Sequence, residues 1–310
     1  MDMITVTAEL TEEQRRQILH LVAAADRVDG FSALNEAGLL ALRHPAGDVC
    51  HLVATEAGEL VGYAQLHHDR PTSTGELVVA PGRRGQGVGH QLLVALVGQA
   101  RSPLQIWAIG DSAAARRLAE REGFHRVREL LIMRRRLVQL PPTPPLPAGV
   151  RIRTFEVGRD ETSWLRLNAV AFAHHPEQGR LTRADLAVRL AEDWFDPAGF
   201  FLAERGQELV GFHWTKQHPG RLGEVYVLGV DPTAGGGGLG RALLVHGLQH
   251  LAAVGNTEVE LYVEADHERA VRLYSGYGFE VTNRDVMYAL QDSLDGNGPH
   301  TMQTQTLQES

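Results

Sequence analysis

Leu77-Val78-Val79-Ala80-Pro81 leads into Arg84-Gly85-Gln86-Gly87-Val88-Gly89, and Leu228-Gly229-Val230-Asp231-Pro232 leads into Gly235-Gly236-Gly237-Gly238-Leu239-Gly240. In both stretches an apolar run reads as a strand, the glycines as a turn, and the segment that follows (Gln91 to Ala100, Arg241 to Ala253) as a helix. Successive backbone N–H groups at a helix N-terminus make a cradle for phosphate. Each copy then closes on a Gly-Phe pair, Gly123-Phe124 and Gly278-Phe279. Equivalent residues stand roughly 150 positions apart, so the repeat is a whole domain, far longer than the 20–50 residue period of solenoids.

Other arrangements are then laid out around these two anchors. Thr11 and Gln14 have capping-box spacing, with Ile18, Leu19, Leu21 and Val22 as an apolar helical face, so the first domain is expected to open with a helix. His51–Thr55 and Leu60–Leu66 read as a hairpin, and Phe200–Glu204 with Glu208–Thr215 repeats it. Further strands are expected at Gln105–Ile109 and Glu258–Val263. Five of the 14 prolines crowd into Leu140–Gly149, which cannot pair in a sheet and reads as a linker. The expected division is therefore 1–139, a linker at 140–149, 150–290, and a polar, disordered tail at 291–310.

Composition narrows the function. With 43% hydrophobic and 22% charged residues the chain is an ordinary globular protein, and a net charge of -8 argues against a broad grip on nucleic acid or anionic lipid. Arg134-Arg135-Arg136 is an isolated basic run, read as the solvated end of a strand. The single cysteine, Cys50, excludes a disulfide framework and a thiolate zinc site, and no metal is expected. The N-terminal segment reads as neither signal peptide nor membrane anchor; a cytoplasmic monomer is expected. Gly235, Gly237 and Gly240 also spell G-x-G-x-x-G, with Glu258 and Glu260 about twenty residues on, as in dinucleotide-binding folds. Four residues separate that loop from its strand, however, and the first copy does not share the spacing.

The order helix, hairpin, strand, glycine loop, helix, strand, helix, Gly-Phe, strand resembles the superfamily of histone and aminoglycoside N-acetyltransferases (GNAT). Arg84-x-x-Gly87-x-Gly89 after a Val-x-Pro strand end carries that likeness. It implies an α/β fold of two tandem GNAT domains, each a mostly antiparallel sheet flanked by helices, that use acetyl-CoA. The cofactor positions it implies are Leu77, Val78, Val79, Arg84, Gly85, Gln86, Gly87, Val88, Gly89 and His90 in the first copy. In the second they are Leu228, Gly229, Val230, Gly235, Gly236, Gly237, Gly238, Leu239, Gly240 and Arg241, then His267, Glu268, Arg269, Ala270, Val271 and Arg272. Gly235 stands where the first copy has Arg84, which predicts weaker cofactor affinity in the second domain, and His267 replaces the asparagine of many relatives.

The copies differ where chemistry would occur. Glu224 aligns with Ser73, and Tyr274 with Ala119. Superfamily members use a carboxylate at the first position as base and a tyrosine at the second as acid, and the second copy alone has both. An amine is largely protonated at neutral pH and must lose a proton before attacking a thioester, which asks for a nearby carboxylate. The departing thiolate needs a proton, which a phenol can donate. Backbone N–H groups at Leu228–Val230 would steady the developing oxyanion.

His175-Pro176-Glu177-Gln178-Gly179 and Phe212-His213-Trp214-Thr215-Lys216 resemble the mycothiol synthase family over nearly the whole chain. That likeness implies acetylation of the cysteinyl amine of Cys-GlcN-Ins, a small-molecule acceptor touched by Glu36, Glu177, Lys216, Glu224 and Tyr262, between a cofactor-binding but silent first domain and a catalytic second one. Two alternatives remain open on the residues themselves: a tandem N-acetyltransferase for another small amine, and a non-catalytic acyl-CoA-binding module.

Overall fold

The computed structural model describes residues 3–44, 48–68, 71–175, 178–234 and 237–290. The first half runs β1 (Met3–Thr7), α1 (Glu12–Asp29), α2 (Glu36–Arg43), β2 (Val49–Glu56), β3 (Glu59–His67), β4 (Ser73–Val79), α3 (Val88–Gln99), β5 (Leu104–Ala108), α4 (Ala113–Arg121) and β6 (Phe124–Arg136). The second runs β7 (Val150–Thr154), α5 (Glu161–Ala171), α6 (Arg183–Leu190), β8 (Phe200–Arg205), β9 (Glu208–His218), β10 (Leu222–Val230), α7 (Leu239–Ala253), β11 (Glu258–Glu264), α8 (Glu268–Gly276) and β12 (Glu280–Leu290). The expected hairpins, strands and glycine-loop helices are all present. A strand, β1, precedes the first helix, which corrects the expectation that the domain opens with a helix: Met3–Thr7 is only five residues long, and it forms by pairing with β2.

Local chemistry accounts for the boundaries. Thr11 and Gln14 close the capping box of α1, and Gly30 ends that helix in the left-handed region at φ 78°. The hairpin between β2 and β3 turns at Ala57 and Gly58, both with positive φ. Leu140–Pro147 forms neither helix nor strand, as its prolines require.

The chain forms two compact units, Met1–Glu129 with Asp285–Ser310, and Leu130–Arg284. They do not coincide with the linear division at 140–149, because the closing strands are exchanged. In the first unit β1 to β5 lie in sequence order, and the fifth strand is bordered by the end of β12 (Val286↔Ala108, Tyr288↔Ile106). In the second, β7 to β11 are bordered by the end of β6 (Glu260↔Arg134, Tyr262↔Ile132). Hydrophobic alternation alone could not reveal this, since either sheet satisfies the same pattern. The tail at 291–310 lies outside the described residues.

Each sheet is covered on both faces. In the first unit Leu66, Leu92, Leu96, Ile106, Phe124 and Tyr288 fill one core, while Ile18, Leu34, Leu42 and Tyr63 fill the other. In the second, Val225, Leu248, Val259, Leu261, Val263, Tyr274 and Phe279 share one face. Trp164, Phe200, Phe212 and Trp214 pack on the opposite one.

Candidate active site

The second unit's sheet opens in the middle. Strands β10 and β11 pair in parallel only from Leu222↔Glu258 to Glu224↔Glu260, and beyond that register they diverge. A bulge between Val225 and Val227 shifts β10 against β9 at the same level. In the first unit β4 and β5 likewise part after Ser73–Gly75 pairs with Leu104–Ile106, but β4 pairs with β3 without a bulge.

At the point of divergence four residues in register cross four strands: Lys216 on β9, Glu224 on β10, Glu260 on β11 and Arg134 on β6. Residues opposite one another in a sheet share a face, so this is one row of side chains carrying charges +, −, −, +. Glu224 and Glu260 are 6% and 4% exposed, and two carboxylates side by side at that depth need partners. Arg134 binds Glu260 through Nε at 2.8 Å and Nη2 at 2.7 Å. His218, two positions after Lys216 on the same face, brings its Nε2 to 2.6 Å from Glu224 Oε2 and 3.8 Å from Glu260. These three donors lie within 4.8 Å of one another, a spacing a divalent cation could use, although protein partners already engage all three. Lys216 extends its ammonium over the rings of Trp194, at 4.5 Å, and Tyr226, at 5.1 Å. Arg189 donates to the Tyr226 hydroxyl at 2.9 Å. Tyr262, two residues beyond Glu260, is exposed on this face.

Tyr274 belongs to the other face. It is packed in the core with Val225, Val259, Leu261 and Val263, and meets Phe279 edge-on at 5.8 Å. Burial pushes its hydroxyl up to about 12, so the phenol stays protonated at neutral pH. The charged row and the phenol thus lie on opposite faces of the sheet.

The glycine loops are cradles by conformation. Gly237 and Gly238 adopt φ 59° and 83°, and Gly238 caps α7 with no side-chain bond to the first N–H groups. Nothing lies within 4 Å of where a Gly238 Cβ would stand. Gly85 and Gly87, with φ 74° and 88°, do the same ahead of α3. These uncapped N–H groups fit a pyrophosphate. Arg84 binds Asp29 through both terminal nitrogens, at 2.6 and 2.8 Å, so its guanidinium is engaged within the protein, and His90 meets Glu122 at 3.0 Å. In α8, Glu268 pairs with Arg272 at 2.7 Å, and His267 is the exposed N-cap.

Of the anticipated residues, Lys216, Glu224 and Tyr262 come together on one face of the second unit. Glu36 begins α2 of the first unit. Glu177, Gly235 and Gly236 lie outside the described residues. The bulge in β10 shifts by one residue the alignment of Glu224 with Ser73 made from sequence: by strand register Thr74 and Gln105 stand where the second unit has Glu224 and Glu260, so the equivalent row in the first unit carries no carboxylate, and Ala119 is the buried counterpart of Tyr274. Sequence reasoning missed His218 and set Glu260 and Arg134 aside. Arg134 and Arg135 are not a solvated run, since the first binds Glu260 and the second donates to the Tyr277 carbonyl.

Comparison with known proteins agrees with this architecture. The acetyltransferase (GNAT) family model matches residues 166–279, and a GNAT domain model matches 47–126. A mycothiol acetyltransferase of Streptomyces coelicolor is 53% identical over 92% of this chain and 94% of its own. Its namesake from Thermomonospora curvata is 54% identical over 90% and 94%. The chain belongs to the mycothiol acetyltransferase family. A tandem GNAT protein of the clavulanic acid pathway, 20% identical, shares the fold with a TM-score of 0.70 over 93% of this chain and 98% of its own. The chain carries two GNAT domains, and it is an N-acetyltransferase. Among the described residues no helix is long and apolar enough to cross a membrane.

Proposed function

We propose that the chain transfers the acetyl group of acetyl-CoA to the cysteinyl amine of Cys-GlcN-Ins, yielding mycothiol and CoA, and that the chemistry occurs in the second unit. The observation that carries this reading is the charged row at the mouth of the β10–β11 gap, present in the second unit, where the first has Thr74 and Gln105 in place of the two carboxylates. Acetyl-CoA would be held by the N–H groups ahead of α7 and by β10 from Leu228 to Val230, with its thioester supplying the acyl carbon. Glu224 takes the ammonium proton and frees the nitrogen lone pair for attack. Tyr274, kept protonated by burial, gives its proton to the departing sulfur, and the second N–H proton, released as the tetrahedral intermediate collapses to the amide, restores the phenol. Lys216 and Tyr262 of the second unit are assigned to the hydroxyl-rich acceptor. The first unit is read as binding CoA without reacting, because Thr74 and Ala119, which stand where the second unit has Glu224 and Tyr274, cannot move the protons. A cytoplasmic monomer is part of the same reading.

The test is acetyl transfer to Cys-GlcN-Ins and to a panel of other amines, followed by mass spectrometry of the product. Preference for Cys-GlcN-Ins, lost in Glu224→Gln, is the expected result. Equal turnover of unrelated amines would refute the acceptor assignment.

A further inference from the structure

We infer that His218 is the proton outlet of the active carboxylate, a positioning residue that acts through Glu224 and links it to solvent. The inference rests on the reading of Glu224 as the base. At 6% exposure Glu224 is buried even before an acceptor and an acyl donor cover it, yet every turnover loads it with a proton that must leave. Among the described residues, the imidazole of His218 is the titratable group bonded to it, Nε2 to Oε2 at 2.6 Å. The His218 side chain is 28% exposed, so it joins the buried carboxylate to water. It comes from the end of β9, next to the turn into β10, where the register Leu222↔His218 sets it diagonally across from Glu224.

The step balances. An N–H bond of the substrate ammonium breaks and its proton joins the Glu224 carboxylate. The carboxyl then passes a proton from Oε2 to a bare His218 Nε2. The imidazolium so formed releases its Nδ1 proton to water, and exchange at the exposed ring edge returns it to the tautomer with Nε2 bare. One proton leaves the ammonium and one reaches solvent. The charged groups facing the pair are Lys216 on its own strand, Glu260 on β11 and Arg134 on β6. Glu260 sits 3.8 Å from the imidazole and is held by Arg134, so the cation formed in transit is met by a fixed carboxylate. The first unit has Thr74 in place of Glu224 and Gln105 in place of Glu260, so there is no proton there for an outlet to carry.

His218→Gln keeps a hydrogen-bonding group but cannot relay a proton, and His218→Ala leaves room for a free imidazole. Both are assayed with Glu224→Gln in parallel. His218→Gln is expected to lower kcat by about 10- to 100-fold, with KM for acetyl-CoA within about twofold, and to alter the pH profile of kcat. Imidazole is expected to raise kcat of His218→Ala in proportion to its concentration and to leave wild type unchanged. A kcat for His218→Gln within twofold of wild type overturns the inference, as does a loss in His218→Ala that imidazole does not restore. Should His218→Ala fail to fold, the kcat and pH profile of His218→Gln decide. Wild-type turnover in Glu224→Gln would instead sink the underlying assignment of the base.

Discussion

Removing residues 285–310 is expected to unfold the first unit while sparing the second. The deleted segment supplies Val286, Met287, Tyr288 and Ala289, which are 0%, 3%, 8% and 1% exposed and pair with Ala108, Trp107, Ile106 and Gln105 of β5. Burying a valine, a methionine and a tyrosine is worth roughly 1.5–3 kcal/mol each, and an alanine methyl a little under ~1 kcal/mol. Ladder hydrogen bonds add about 1 kcal/mol apiece. The bonds from Gly110 N–H to Asp285 and from the Tyr288 hydroxyl to Asp111 go as well. The sum, on the order of 10–15 kcal/mol, matches the whole stability of a typical domain, about 5–15 kcal/mol. The second unit keeps every strand of its own sheet, since its boundary falls at Arg284. The assay compares 1–284 with 1–290 by calorimetry and limited tryptic digestion. The shorter protein should lose one melting transition and be cut in α4, at Arg116, Arg117 and Arg121. Identical melting of the two would refute the exchange of closing strands.

The remaining predictions concern chemistry and packing. Glu224→Gln should lower kcat by about 10²–10⁴-fold, and Tyr274→Phe should lower kcat with KM for both substrates little changed; steady-state kinetics on the two variants checks both. His213 is fully buried, donates Nδ1–H to the Leu243 carbonyl at 2.7 Å, and desolvation lowers it from 6.5 to about 4. The unfolded chain therefore binds more protons between those values, so stability is complete above pH 6.5 and falls as pH drops toward 4, by roughly 3 kcal/mol for this residue. Replacing it with glutamine should flatten that part of a denaturation-against-pH curve. Gly247 packs against the same ring, and a Cβ there would lie 2.1 Å from His213 Cε1. Gly247→Ala should consequently lower the stability of the second unit by about 1–3 kcal/mol or more, read from denaturant midpoints.

Sequence alone determined what is written in contiguous strings: the two glycine cradles, the hairpins that precede them, and the loss of carboxylate and phenol from the first copy. These were legible because glycine conformation, helix capping and apolar alternation act over a few residues. Tertiary structure decided the rest. Which sheet β6 and β12 join depends on partners more than a hundred positions away, and no local pattern distinguishes the two choices. The same holds for the site: Arg134 of β6 reaches Glu260 of β11 only because strand register aligns them, and His218 finds Glu224 only across the turn between β9 and β10. Side chains become neighbours through hydrogen-bond register between strands, a property of pairs of segments that neither segment carries by itself.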